Sequence, residues 1–155
     1  MNYKWLNTER PIISEFGDEM SNRWLLVADD VAWDALIKSG FWMFCNRYRR
    51  KARKIRMGDK AVAYVKFFSA IYGIIKITSD PYVNAEDKDY PIKFHIEPEV
   101  FLTEPTSIRP LLNNLSFVRS KERWYAYFQT SLRRVPEKDF QLIRGYVIRE
   151  KRESR

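Results

Sequence analysis

Gly40-Phe41-Trp42-Met43-Phe44-Cys45-Asn46-Arg47-Tyr48-Arg49-Arg50-Lys51-Ala52-Arg53-Lys54-Ile55-Arg56-Met57-Gly58-Asp59-Lys60 is the stretch around which the rest of the chain is organised. Eight of its residues are Lys or Arg and only Asp59 is acidic. The window therefore carries +7, against a net charge of +8 for the whole 155-residue chain. Tyr48, Ala52 and Ile55 recur at i, i+4 and i+7, which is one face of a helix. That stripe predicts a helix docked on a core, with Arg47, Arg49, Arg50, Lys51, Arg53, Lys54 and Arg56 turned outward. Just upstream lies an aromatic knot of Phe41, Trp42 and Phe44. Flat aromatics beside a cationic helix offer stacking for a base and positive charge for its phosphates. A charge run by itself is more often a solvated helix face, so the remainder of the chain must decide between the two.

The length suits one domain with a core large enough to need neither disulfides nor metal. Hydrophobic residues make up 45% and aromatic residues 15%, a high aromatic share for a small protein. A single cysteine, Cys45, excludes an internal disulfide and a Cys-rich zinc site, and it fits a reducing, cytoplasmic setting. No stretch approaches the roughly 18 apolar residues of a membrane helix, and the first residues lack a signal-peptide layout; no membrane partner is expected. Charge is segregated: residues 1–40 sum to −3, 61–78 to +2, 79–105 to −5 and 106–155 to +7. The positive charge thus comes from two separate blocks that one face could combine, which makes a polyanionic partner plausible.

Residues 1–21 show no clear period and read as an N-terminal extension. Arg23–Ala28 is a short buried strand, and Asp29 or Asp30 can cap a helix bearing Trp33, Leu36 and Ile37 that stops at Gly40. The basic helix follows and ends at a turn near Met57-Gly58-Asp59. Lys60–Phe68 and Ile71–Thr78 form a hairpin rich in β-branched and aromatic residues, with Gly73 marking a bulge or close approach. An acidic loop runs to Asp89. Ile92, Phe94 and Ile96 then alternate with polar residues as a half-buried strand that Val100–Leu102 can extend. Ile108–Asn114 is a short helix with Pro110 in its first turn, Trp124–Phe128 a further strand, and Phe140, Ile143 and Val147 mark a last amphipathic helix. Residues 148–155 read as a charged, frayed tail. About six strands with a few short helices make an α+β domain, a small curled sheet or barrel.

These residues, in order, resemble the EVE domain family: Arg23-Trp24-Leu25-Leu26, Gly40-Phe41-Trp42, Ile55-Arg56-Met57-Gly58-Asp59, Ala63-Tyr64, Ile71-Tyr72-Gly73-Ile74 and Pro81-Tyr82. Arg109-Pro110-Leu111-Leu112-Asn113-Asn114-Leu115, Arg123-Trp124 and Val135-Pro136-Glu137-Lys138-Asp139-Phe140 look like its small stand-alone archaeal and bacterial members. The resemblance covers residues 22–147 and lies in the order and spacing of short motifs, none of them strong alone. It implies a PUA-like curled mixed sheet or pseudo-barrel, similar to the YTH domains that read methylated adenine in RNA, with a cleft for one flipped or unpaired base. In those relatives the Trp of the Gly-x-Trp motif belongs to an aromatic cage, and Trp42 stands there. Tyr64 and Tyr82 are the further cage members the resemblance implies, although relatives often carry Trp where Tyr82 stands. The Asn-rich positions that read the base edge have no clean match, because Asp29-Asp30 follows the first strand; Asn46 is the substitute.

Trp24 sits mid-strand and Trp124 follows Arg119, Lys121 and Arg123, so each has both a core and a cleft reading. The base-binding candidates are Trp42, Tyr64, Tyr82, Trp24, Asn46 and Trp124. The phosphate-binding candidates are Arg47, Arg49, Arg50, Arg53, Arg56, Arg123 and Arg133. Catalytic residues are not expected. The lone His95 has no Cys or second His at ligand spacing, and Cys45 has no histidine close in sequence. Neither a Gly-x-Ser-x-Gly elbow nor a Gly-rich phosphate loop occurs, and Glu86-Asp87-Asp89 reads more simply as an acidic loop than as an acid/base pair. No metal or cofactor is expected. The reading is a module that binds nucleic acid, RNA or modified DNA, and reads a single modified base. A small-molecule or nucleotide binder using the same cleft, and a nucleic-acid-processing enzyme, are the alternatives.

Overall fold

The computed structural model describes residues 21–28 and 32–154. The predicted N-terminal extension (bar its last residue), the Asp29/Asp30 cap and the side chain of Trp33 lie outside the described residues. In chain order the elements are β1 (Arg23–Ala28), α1 (Ala32–Ser39), β2 (Phe41–Phe44), a 3-10 turn (Asn46–Tyr48) leading into α2 (Arg49–Ala52), β3 (Lys60–Val65), β4 (Ala70–Ile77) and β5 (Tyr82–Val83). The long β6 (Ile92–Ser107) follows, then 3-10 helices over Arg109–Asn114 and Trp124–Phe128, β7 (Leu132–Arg134) and α3 (Glu137–Glu153).

One seven-stranded mixed sheet runs β2-β6-β4-β3-β1-β7, with β5 added to β6. β1 lies parallel to β3 and antiparallel to β7. The start of β6 pairs with β2 and β5, and the rest pairs with β4. Sharing β6 in this way curls the sheet into a half-barrel. Bulges help: the β4–β6 register shifts between Ile71 and Gly73 and again between Ile74 and Ile75. Gly73 is required at the first of these, because a Cβ there would meet the Val100 carbonyl oxygen at 2.2 Å.

Two hydrophobic cores flank the sheet. Trp24, Leu26 and Ala28 of β1 join Trp42, Phe44, Ile55 and Phe94 on the concave side, while Leu25 and Val27 join Tyr64, Phe128, Phe140 and Ile143 on the side covered by α3. This two-sided burial explains why β1 is a continuous apolar run rather than an alternating one. Asp59, 3% exposed, ties the concave core together. Its carboxylate accepts from the Trp24 indole at 2.8 Å and from the backbone N–H groups of Asn22 (2.9 Å) and Arg56 (3.0 Å). Burial pushes its carboxyl up while those bonds pull the other way.

Three expectations need correction, and one strand goes unread in the sequence. The basic helix is only a 3-10 turn and one turn of α2, with no side-chain cap and no acid in its first turn. Seven cations between 47 and 56 repel one another along any longer helix. Ala52 and Ile55 still dock at 0% exposure, with Tyr48 half-buried. Phe41–Phe44 is a strand whose alternate residues Trp42 and Phe44 are buried. Trp124–Phe128 is a 3-10 helix and not a strand: Trp124 and Phe128, four apart, turn to the second core while Tyr125 stays exposed. The strand in this part of the chain is β7, beside β1, which sequence patterning misses because Leu132-Arg133-Arg134 holds one apolar residue. Finally, α3 continues to Glu153 through the predicted frayed tail. Glu137 and Asp139 in its first turn and Lys151 and Arg152 in its last match its dipole.

Candidate nucleic-acid interface

At the C-terminal end of β1 the sheet opens into a cavity of about 320 Å³, at the small end of the ~300–1,000 Å³ typical of ligand sites. The backbone holds its rim: Val27 N–H donates to Ser131 O at 3.1 Å and Lys66 N–H to Ala28 O at 2.9 Å. The end of β1 is thereby clamped between the start of β7 and the end of β3. Gly40, at φ +74, turns the chain out of α1 and into β2, a conformation that favours glycine, and so delivers Trp42 to the cavity. Val27, Ala28, Leu36, Trp42 and Phe44 make its apolar wall, while Cys45, Tyr48, Lys66, Tyr90, Gln129 and Ser131 add polar atoms. Trp42 is 2% exposed, so it closes the cavity as part of the core and offers only an edge. Tyr48 is half-buried and Tyr90 is 49% exposed; they are the aromatics with surface free for a ligand.

Tyr90 is held there by the acidic loop. Asp87 accepts from the backbone N–H of Tyr90 (2.9 Å) and of Asp89 (3.2 Å), and from Lys93 Nζ at 2.8 Å. The Lys93 bond leads in holding the Asp87 carboxyl below its ordinary value.

Two cationic clefts continue from segments that line the cavity. Immediately after Cys45, a cleft of about 280 Å³ is lined by Asn46, Arg47, Arg49, Arg50 and Arg53. Beside Gln129 and Ser131, another of about 330 Å³ is lined by Trp24, Lys51, Lys54, Thr130, Leu132, Arg133 and Arg134. The two positive blocks of the sequence therefore meet: Lys51 and Lys54 of the first share a cleft with Arg133 and Arg134 of the second.

Of the base-binding candidates, only Trp42 lines the central cavity. Tyr64 lies in the other core, 2% exposed, its ring 4.8 Å from that of Phe128; β3 turns Ala63 and Val65 to the concave side and Tyr64 away from it. Tyr82 is half-buried on β5, 5.8 Å from the His95 ring. Trp24 is buried and bonded to Asp59, with an edge on the Lys51–Arg133 cleft. Asn46 sits exposed in the arginine cleft. Trp124 packs against the second core under the Arg109 guanidinium, 5.6 Å from its ring centre. Among the phosphate candidates, Arg47, Arg49, Arg50 and Arg53 come together. Arg56 turns back onto the carbonyls of Arg53 and Ile55. Arg133 covers the Tyr127 ring at 5.1 Å and the Phe117 ring at 5.7 Å, and Arg123 stands apart as the residue before the Trp124–Phe128 helix.

Residues that sequence reasoning passed over are Tyr48, Lys66, Tyr90, Gln129 and Ser131 in the cavity and Lys51, Lys54 and Arg134 in the cleft. The sequence pattern puts Tyr48 on the docking stripe, and Lys51 and Lys54 only in a general outward fan. Tyr90, a bare aromatic between Asp89 and Pro91 in an otherwise acidic loop, is the one legible signal.

The EVE domain model matches residues 22–146. UPF0310 protein PH1033 of Pyrococcus horikoshii is 27% identical over 144 residues, covering 81% of this chain and 98% of that one. The YTH domain of the Zygosaccharomyces rouxii MRB1 protein, solved in complex with N6-methyladenosine RNA, is similar at a TM-score of 0.64 and 11% identity, over 83% of this chain and 88% of that one. The Pho92 YTH domain in complex with m6A is similar at 0.62 and 14% identity, over 82% and 86%. At such identities the likeness is one of fold, the curled half-barrel with its short helices. With most of its length matched by that one model, the chain belongs to the EVE domain family.

Proposed function

We propose that this protein is a binding module that takes a single, modified base of a nucleic acid into the cavity at the end of β1 while its two cationic clefts hold the flanking phosphates. The observation that carries this reading is an aromatic-lined cavity whose lining segments run on into two cationic clefts, Cys45 into Asn46–Arg53 and Gln129 and Ser131 into Thr130–Arg134. A neutral small molecule would need the cavity and not the clefts. Among the described residues the cavity lining sets no carboxylate or imidazole beside Cys45, Lys66, Tyr48 or Tyr90, so it offers them no acid–base partner of that kind. His95 is engaged elsewhere, its ring 4.6 Å from that of Phe41. The fold neighbours solved with N6-methyladenosine support an N-methylated adenine as the first base to try.

The test is fluorescence anisotropy with single-stranded RNA and DNA oligonucleotides, each with and without one N6-methyladenine, over a range of salt. Burying one methyl group contributes about 0.8 kcal/mol, so the modified strand is expected to bind a few-fold to ten-fold more tightly than the plain one. Contacts from Arg47, Arg49, Arg50 and Arg53 at about −0.7 each give a log–log salt slope of roughly −3. Affinity that ignores both salt and base modification would overturn the proposal and leave the small-molecule reading.

A further inference from the structure

We propose that the Phe67-Phe68 tip of the β3–β4 hairpin is a wedge that enters the stack of a nucleic-acid duplex and fills the gap left by the base drawn into the neighbouring cavity. This inference rests on the base-reading function proposed above and adds to it the form of nucleic acid that is read. Phe67 is 73% and Phe68 51% exposed, and their rings stand edge to face at 5.1 Å. Two adjacent phenyl rings in water at a hairpin tip are a cost that a lone exposed apolar residue is not. The tip is also firmly mounted. Val65 pairs with Ala70, Ser69 N–H closes the turn on Lys66 O at 3.2 Å, and Lys66 N–H bonds back to Ala28 O. Ser69 adopts φ +51 to make so tight a turn.

Its surroundings set the partner. On one side, Lys66 leads straight into the phenylalanines and itself lines the cavity. On the other, Ala70 pairs with Ser107, whose hydroxyl accepts from Arg109 N–H at 3.1 Å; Arg109 in turn lies over Trp124, next to the exposed Tyr125. The rings therefore stand between the cavity and a second surface of cations and aromatics. Lys66 and Arg109 lie on the flanks of the rings, a pattern suited to phosphates on both sides of a base step. Inserted apolar side chains unstack and kink duplexes, and a base extruded from a duplex leaves a space that something must occupy.

The experiment compares the wild type with the double variant Phe67→Ser, Phe68→Ser. The probe is a short DNA duplex with one central N6-methyladenine and 2-aminopurine as its neighbour, alongside the same strand without its complement. Wild-type protein is expected to raise 2-aminopurine fluorescence in the duplex as the neighbouring stack opens. The double variant is expected to bind the single strand within about two-fold of wild type, to lose about ten-fold or more on the duplex, and to abolish the fluorescence rise. Its melting temperature should not move, because neither ring is buried. A double variant that still opens the duplex overturns the wedge. So does a wild type that binds the single strand but never disturbs the duplex, and in that case the base-reading function survives. Binding to neither DNA probe overturns the wedge, and the base-reading function falls with it only if the RNA strands of the anisotropy titration also go unbound. A dimer that becomes monomeric in the double variant, seen by light scattering, would make the tip a contact between protomers and also overturn the proposal.

Discussion

Replacing Tyr90 by Ala separates a ligand-binding aromatic from a structural one, and Trp42 is its natural control. Tyr90 is 49% exposed and held by its backbone N–H on Asp87, so truncating its ring removes no core contact. Stability should stay within about 0.5 kcal/mol of wild type. If the ring stacks on the bound base, its loss removes about 1–3 kcal/mol of binding, which is about five-fold to 150-fold in affinity. Trp42, at 2% exposure, forecasts the reverse order of effects. Trp42→Ala should cost about 3–5 kcal/mol of folding free energy, and at about 2–4 °C per kcal/mol for a chain of this size the melting temperature should fall by about 6–20 °C. Tyr90→Phe keeps the ring and should restore binding, while Trp42→Phe keeps part of the cavity wall and should soften both losses. Each variant needs a thermal melt and an anisotropy titration with modified and plain single strands. A fully folded Tyr90→Ala protein with unchanged affinity for both strands would refute the placement of the base in this cavity. Trp42→Phe with an unchanged ratio of modified to plain affinity would add that the cavity does not sense the modification.

Asp87→Ala should weaken base binding without moving the melting temperature, because it frees the loop that presents Tyr90; an equal loss in a Tyr90→Ala background would show that Asp87 acts by some other route. Glu99 gives a pH signature of stability. Burial pushes its carboxyl up, but bonds from Arg144 and Lys60, both 2.9 Å, together with their charges, bring it below 4.5. A depressed folded value means that the stabilisation is present above pH 4.5 and is lost as pH falls through the lower folded value. Glu99→Gln should therefore cost about 1–3 kcal/mol near neutral pH and converge on wild type in acid, as read from urea melts across pH. A constant gap at every pH would mean that the charge on Glu99 contributes nothing.

How much of this was legible in the sequence depended on whether the pattern was one-sided. The first half of β6 announces itself because Ile92, Phe94 and Ile96 face the core while Lys93, His95 and Glu97 do not. β1 and β3 are buried on both faces, so their apolar runs locate the strands without saying which side each residue takes. That is why Tyr64, adjacent to residues of the concave core, could be assigned to the cavity when its side chain belongs to the α3 side. The Trp124–Phe128 run fails for a related reason: five residues with an aromatic at four positions fit a strand and a tight helix equally well, and only the partner surface decides.

Charge was legible for the opposite reason. A cluster of Arg and Lys must lie at the surface whatever the local backbone does, so the basic block kept its meaning even though its helix shrank to one turn. What no local pattern could show is how that block meets Arg133 and Arg134, some eighty positions later. The link is β1: Trp24 pairs with Arg134 and Leu25 with Arg133 on one side, while on the other β3 leaves the Asp59 knot that anchors the exit of α2. Asp59, the one acid in the basic stretch, is thus withdrawn from the surface where it would offset the cations, and it fixes Trp24 between the two positive blocks. A carboxylate with three N–H donors holds that geometry better than any apolar contact could, because losing one leaves a buried donor unpaired. The Lys51–Arg133 cleft and the cavity, which both draw residues from β1, are therefore one consequence of how β1 is held, and a substitution that loosened β1 would disturb both together.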